Sequence, residues 1–185
     1  MCTKTDPVVE TKAGKLRGFQ LDGTYVFHGV KYADAKRFHQ PTPVEPWEGI
    51  KNALAYGYVC PMLQQDQPSN ELMVPHRYWP LDENCQYLNI WTQHLDPNAK
   101  KPVLVWLHGG GFAAGSSIEH IAYEGENMSK YGDVVVISLN HRLNILGYLC
   151  SVASCKLIIV PKLCHKLIKA CSNRFFLFLR SCKLT

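Results

Sequence analysis

The sequence predicts an α/β fold, and three features of its second half carry that prediction. Val103-Leu104-Val105-Trp106-Leu107 is a continuous apolar run, bounded by Lys101-Pro102 before it and by His108-Gly109-Gly110-Gly111 after it. Such a run suits a strand buried on both faces of a helix-covered parallel sheet. Val134-Val135-Val136-Ile137-Ser138-Leu139 is a second run of the same kind. Between them, residues 123–131 read as a helix, with Met128 near its middle and Gly132 just past its end as the C-cap. Strand, helix and strand in that order make a right-handed βαβ crossover.

Upstream of the crossover the signals are those of strands and turns. Val8-Val9-Glu10-Thr11-Lys12 and Lys15-Leu16-Arg17-Gly18-Phe19 flank Ala13-Gly14 and predict a hairpin. Tyr25-Val26-Phe27-His28-Gly29-Val30 is a third short run with rough alternation. Residues 39–49 contain Pro41, Pro43, Pro46 and Gly49, so they read as a loop, held down by Trp47. Residues 61–80 hold four prolines and form a second long irregular segment. Loops of that length in a compact domain are commonly functional or poorly ordered. No internal repeat is visible.

A chain of 185 residues has room for one domain or little more. Its 46% apolar content can build a core, and 19% charged residues is ordinary for a globular protein. No stretch reaches the ~18 consecutive apolar residues of a membrane-spanning helix. The opening Met1-Cys2-Thr3-Lys4-Thr5-Asp6 lacks the apolar core of a signal peptide. The expectation is a cytoplasmic protein with no membrane partner. The net charge of +5 points towards nucleic acid only until its distribution is considered. Residues 150–185 carry seven Lys or Arg and no acid, whereas the first 149 residues hold 13 basic against 15 acidic side chains. Five of the eight cysteines also fall in the last 36 residues. Two compositions meet near residue 150, and no nucleic-acid partner is expected of the first.

His108-Gly109-Gly110-Gly111-Phe112, directly after a predicted buried strand, is the strongest chemical signal. Successive glycines admit positive φ values and let several backbone N–H groups face one point. A carbonyl oxygen held there gains hydrogen bonds as it becomes an oxyanion in acyl transfer. Taken alone, the motif equally fits a plain glycine turn that packs strand against helix or binds phosphate.

Its surroundings decide. The chain resembles the type-B carboxylesterases of the α/β-hydrolase fold, the family that includes the cholinesterases, through a series of motifs in order. Phe27-His28-Gly29-Val30-Lys31-Tyr32-Ala33 is similar to the family's early strand, with Lys31 where proline is usual. Arg37-Phe38 through Pro41, Pro43 and Trp47-Glu48-Gly49 resembles the next segment. Cys60-Pro61 looks like the first cysteine of the N-terminal loop. Glu83-Asn84-Cys85-Gln86-Tyr87-Leu88-Asn89-Ile90-Trp91 resembles the second signature, with Asn84 and Gln86 where an acid and a leucine are usual. The run from Val103 to Phe112, then Gly115-Ser116, Tyr123-Glu124-Gly125, Asn140-His141-Arg142-Leu143 and Leu146-Gly147-Tyr148-Leu149, completes the match over residues 8–149.

The resemblance implies an incomplete α/β-hydrolase fold: N-terminal strands, oxyanion loop and first βαβ crossover only. It also implies that Gly110 and Gly111 supply two N–H groups of the oxyanion hole, in agreement with the argument from the glycine loop itself. It makes Cys60 and Cys85 a disulfide in secreted relatives and, with no signal peptide here, two reduced thiols. Arg37 and Glu83 stand where the family has a structural ion pair. Arg142 resembles a structural arginine whose partner lies further along, in sequence this chain lacks.

A hydrolase of this kind needs an activated serine, a histidine base and an orienting acid, with the serine in Gly-x-Ser-x-Gly. None of the nine serines has that frame; Ser117 comes nearest, with Gly115 two before it but Glu119 two after. His108 reads as scaffold of the oxyanion loop, and His28, His39, His76 and His94 as surface or edge residues. No cofactor is expected.

The expected domain is residues 1–149, an N-terminal carboxylesterase fragment that is inactive alone, its parent acting on a small-molecule carboxylic ester. A non-catalytic cholinesterase-like adhesion protein is the alternative, and a cationic membrane-surface binder a third class. Residues 150–185 fit an out-of-frame translation better than an evolved segment. Cys150, Cys155, Cys164, His165 and Cys171 lack the C-x-x-C spacing of a zinc site. Lys162, Lys166 and Lys169 share one helical face, but Pro161 breaks it. Strand 103–107 is expected to be an exposed apolar edge through which the fragment self-associates.

Overall fold

Val8–Glu10 (β1) and Lys15–Arg17 (β2) pair antiparallel, as the hairpin signal predicts. Thr11 makes the turn: its backbone N–H and its hydroxyl both donate to the Gly14 carbonyl, at 2.9 and 2.7 Å. Ile50–Asn52 (β5) joins this small sheet in parallel with β2. The proline-rich loop before it is anchored by Trp47, whose indole N–H donates to the Lys15 carbonyl at 3.1 Å. Gly14 is required beneath that ring, since a Cβ there would meet the indole at 2.5 Å. This is a computed structural model, and it describes residues 6–62, 77 and 79–148. Most of the expected irregular segment 61–80 and all of 150–185, with its cysteines and lysines, lie outside the described residues.

The principal sheet has five strands in the order β3-β4-β6-β8-β7, where β3 is Phe19–Leu21, β4 Thr24–Lys31, β6 Tyr87–Thr92, β7 Val103–Leu107 and β8 Val135–Leu139. Only β7 and β8 run parallel; the other neighbours are antiparallel. The crossover between β7 and β8 contains one α-helix, Glu126–Gly132 (α1), packed on β4, β6 and β8. The predicted helix 123–131 is therefore shorter and displaced. A 3-10 turn, Ile121–Tyr123, precedes it, and Gly132 is its last residue rather than its cap. The cap is Asp133 at φ +49°, where an Asp is tolerated and where Lys101 and His94 hold its carboxylate. Met128 faces solvent, and Ser129 is the helix's buried residue.

β4 carries a bulge. Phe27 pairs with Ile90 and Val30 with Leu88, so one extra residue is accommodated on β4. Gly29 sits there at φ +62° and donates to Asn89 Oδ1 at 3.0 Å. A Cβ on Gly29 would lie 2.3 Å from the Ala55 carbonyl oxygen, so the close approach also demands glycine. Asn89 in turn donates to Ser117 Oγ and Ser138 Oγ, both at 3.3 Å. One buried amide thus ties β4, β6, β8 and the segment after the glycine loop together, satisfying groups that would otherwise be costly to bury.

The core on one side is Leu16, Phe27 and Ala53, with Trp47 and Ile90 against it; on another it is Val26, Trp91 and Val136. A third cluster joins Cys60, Cys85 and Leu143. Both cysteines are buried free thiols, and the contact with Cys60 together with burial pushes the Cys85 thiol upward. Arg37 and Glu83 form the expected ion pair, with Arg37 Nε 2.8 and 2.9 Å from the two carboxylate oxygens. Arg142 is buried, and its Nη1 donates to the His39 carbonyl at 2.9 Å and the Lys36 carbonyl at 3.4 Å.

β7 is also a correction. It was expected to be buried on both faces as well as to present a free edge. Among the described residues only the edge remains true: Leu104, Val105, Trp106 and Leu107 are 36–43% exposed. Central β8 has neighbours on both edges and buries its side chains; β7 has a neighbour on one.

Candidate functional site

The glycine loop begins where β7 ends. His108, buried at the strand terminus, carries an Nδ1 that lies 2.8 Å from the Gly109 carbonyl oxygen. That carbonyl can only accept, so Nδ1 holds the proton. The next carbonyl, of Gly110, accepts from the N–H groups of Ala113 and Ala114, each at 3.1 Å. The Phe112 carbonyl accepts from the Asn144 N–H at 2.7 Å, and the Gly115 N–H donates to Met62 Sδ at 3.0 Å. Four successive contacts therefore pin the loop from inside the molecule.

Those contacts also orient the N–H groups of the same peptides. A trans peptide points its C=O and N–H in opposite directions, and none of the described peptide bonds is cis. With the Gly109 and Gly110 carbonyls turned onto protein partners, the N–H groups of Gly110 and Gly111 are turned away from them. Among the described residues, neither N–H has an acceptor. Gly110 and Gly111 are both exposed residues.

Why glycine is needed differs by position. Gly110 has φ +111°, and a Cβ there would fall 2.0 Å from the Ala114 carbonyl oxygen. Gly111 has φ +60° with open space around it. Gly109 has neither constraint. Phe112 continues the left-handed stretch at φ +62°, an uncommon conformation for an aromatic residue, and Asn144 adopts it too. The sequence signal located the glycines but not the groups that brace them: Met62, Asn144, Ala113 and Ala114 carried no motif of their own.

The histidines sort by environment. His108 is scaffold, as expected, and lies flat against His141 with ring centroids 4.7 Å apart. His39 is exposed and His94 pairs with Asp133, both on the surface as expected. His76 lies outside the described residues. His28 corrects the sequence reading. It stacks on Tyr56 at 4.1 Å and meets the edges of Phe19 and Trp91 at 5.2 and 5.6 Å. Its Nε2 is buried without a partner among the described residues. Burial pushes its pKa down to about 4, with Glu124 opposing and Arg77 assisting. Glu124 itself is tied to Arg77 and to the Tyr56 hydroxyl.

A groove of about 340 Å³ lies near the braced side of the loop, lined by Phe38, Met62, Ile145 and Leu146 with the Arg37–Glu83 pair at its rim. Its one ion pair is closed on itself, so this apolar groove offers no reacting group. No cluster of three or more metal-ligating side chains occurs among the described residues, and no helix among them is long and apolar enough to cross a membrane.

Comparison with known proteins places the geometry in context. The family model described as "Carboxylesterase family" matches residues 5–155. Phenmedipham hydrolase of Pseudarthrobacter oxydans is 41% identical over 150 residues, covering 78% of this chain and 30% of that protein. Para-nitrobenzyl esterase of Bacillus subtilis (strain 168) is 36% identical over 150 residues, covering 78% of this chain and 29% of that protein. Among solved structures, an esterase from anaerobic Clostridium hathewayi that can hydrolyze aliphatic aromatic polyesters superposes with a TM-score of 0.79. It is 62% identical, and the match covers 85% of this chain and 32% of that one. The chain thus spans about a third of the length of the relatives it matches, and its described residues form part of an α/β-hydrolase fold.

Proposed function

This chain belongs to the carboxylesterase family, and on that premise we propose that it carries the oxyanion loop of a serine carboxylic-ester hydrolase without the nucleophile, histidine base and acid that complete the site. The observation behind the proposal is the pair of N–H groups on Gly110 and Gly111, without acceptors among the described residues and turned away from the bonds made by the carbonyls of the same peptides. In an acyl transfer these two groups donate to the substrate carbonyl oxygen and strengthen their bonds as it gains charge. Being fixed in advance, they need no reorganisation at the moment of reaction.

The substrate class is the carboxylic ester, and the 62% identity to an esterase that can hydrolyze aliphatic aromatic polyesters extends it to such polyesters. The functional unit is residues 1–149, with 150–185 outside the domain, and the protein works without a cofactor, in the cytoplasm, on neither nucleic acid nor membranes. The chain by itself has no turnover. A direct test replaces the matching third of Bacillus subtilis para-nitrobenzyl esterase by residues 6–148. The chimera is expected to hydrolyse p-nitrophenyl esters; a folded chimera without activity would count against the oxyanion reading.

The free edge of β7 carries a further expectation. An unpaired apolar strand pairs with another chain unless charge or bulk protects it. The 185-residue chain is expected to associate at micromolar concentration, and Val105→Lys to shift it towards smaller species in sedimentation velocity. Equal distributions for the two proteins would place the association elsewhere.

A further inference from the structure

Four aromatic rings form a bridge across the glycine loop. His108 precedes it and Phe112 follows it. The His108 ring lies parallel to His141, with 4.7 Å between centroids and 9° between planes. His141 meets the edge of Tyr148 at 6.4 Å, and Tyr148 packs on Phe112 at 4.9 Å. The two ends of the loop are therefore joined through side chains of residues 141 and 148, both from the segment that follows β8. The same segment supplies the Asn144 N–H to the Phe112 carbonyl.

His141 is oriented for this position by its own backbone contact. Its Nδ1 lies 3.0 Å from the Arg142 carbonyl oxygen, which can only accept, so Nδ1 again carries the proton. His108 and His141 are thus in the same tautomer when neutral, each with a lone pair on Nε2. The His108 bond to the Gly109 carbonyl fixes the plane of the Gly109–Gly110 peptide, and the direction of the Gly110 N–H follows from that plane. His141 is the flat surface that keeps the His108 ring in the plane required.

We infer that His141 is a positioning residue of the glycine loop, joining His108 to Tyr148 and Phe112 and so holding the peptide plane that aims the Gly110 N–H. What that N–H serves rests on the oxyanion reading above; the clamp itself does not.

The clamp belongs to the neutral pair. Burial lowers the pKa of both rings. For His108 the Gly109 carbonyl opposes this, the His141 ring adds to it and Glu119 opposes it; for His141 the Arg142 carbonyl opposes it. The charged and titratable groups around the pair are Glu119 facing His108, Arg142 next in the chain to His141, and the Tyr148 phenol, whose own pKa burial raises. Two stacked imidazolium rings repel. Below the ordinary histidine value of about 6.5 the opened loop takes protons that the closed clamp refuses. Closure is therefore full above that pH and weakens as the pH falls.

Hydrogen–deuterium exchange on the whole 185-residue chain, read by mass spectrometry over 109–116 and 140–148, tests this without any need for turnover. His141→Ala is expected to speed exchange in both segments about tenfold while the β4 and β6 amides keep their wild-type rates. His141→Phe retains a flat ring without the charge and is expected to restore protection. After correction for intrinsic exchange, acidification from about pH 7.5 to about 5.5 is expected to open the wild-type loop and to open the Phe variant less, since only buried His108 still resists a proton there. The proposal is overturned by any of four results: wild-type protection in the Ala variant, loosening of the whole sheet along with the loop, no rescue by Phe, or an unprotected loop in the wild-type chain. An inactive chimera would undo the oxyanion reading and leave these exchange rates as they are.

Discussion

Mixed with a chromogenic short-chain ester at stoichiometric concentration, the 185-residue chain is expected to release no burst of product. An acyl-enzyme needs a serine that is exposed, deprotonated by a neighbouring base and set beside the oxyanion donors. The serines of the described residues are all otherwise engaged or enclosed. Ser117 and Ser138 accept from Asn89, Ser129 accepts from Gln93, and Ser116 is 4% exposed. The other five serines lie outside the described residues, and none has glycines two before and two after it. Where a catalytic serine has been removed from a complete enzyme, kcat has fallen on the order of 10⁶. Oriented N–H groups alone leave an acceleration of roughly 10³–10⁴ over water, too slow to register as a burst. A burst whose amplitude titrates with protein concentration would refute the proposal that this chain lacks a nucleophile. Reading the nucleotide sequence after the codon for Leu149 in all three frames gives an independent check. A resumed esterase-like frame containing Gly-x-Ser-x-Gly assigns residues 150–185 to a shifted frame.

The second large effect is expected at Gly110, measured in the chimera. Gly110→Ala places a methyl group 2.0 Å from the Ala114 carbonyl oxygen, at a φ of +111° that alanine avoids. Backbone occupies that space, so no side-chain rotation can relieve the clash. The turn closed by the Ala113 and Ala114 N–H groups must open, and both peptide planes that aim the free N–H groups rotate with it. Loss of one oxyanion donor lowers kcat by roughly 10²–10³, and KM should change little because the interaction develops mainly in the transition state. Gly109→Ala is the control: among the described residues a Cβ there meets nothing within 4 Å and φ is not positive. Equal losses at 109 and 110 would show that the substitutions act through general disruption of the loop. A near-wild-type kcat for Gly110→Ala would remove Gly110 from the oxyanion hole.

The β1–β2 hairpin was legible because a short motif encodes it, and the Arg37–Glu83 pair because the family resemblance implies it. β6 was not. Tyr87–Thr92 interrupts its apolar residues with Asn89, and its partners β4 and β8 lie far off in the chain on either side. Asn89 is the amide that accepts from the Gly29 N–H at the β4 bulge and donates to two buried hydroxyls. His28 misled in the opposite direction. Its local sequence reads as an edge, and only the approach of Tyr56, Phe19 and Trp91 encloses it.

By itself the sequence determined the α/β class, the β7–β8 crossover, the family resemblance and the place of the glycine loop, since each depends on residue type and order within a few positions. Hydrophobic runs, glycine spacing and missing serine frames are local properties of a chain. Tertiary structure alone decided that Asn89 joins β4, β6 and β8, that Arg142 is held by the carbonyls of residues 36 and 39, and that His141 lies flat against His108. Those facts depend on which surfaces meet across separations of up to 106 residues. Burial and hydrogen bonding belong to the meeting surfaces, and no local pattern encodes them.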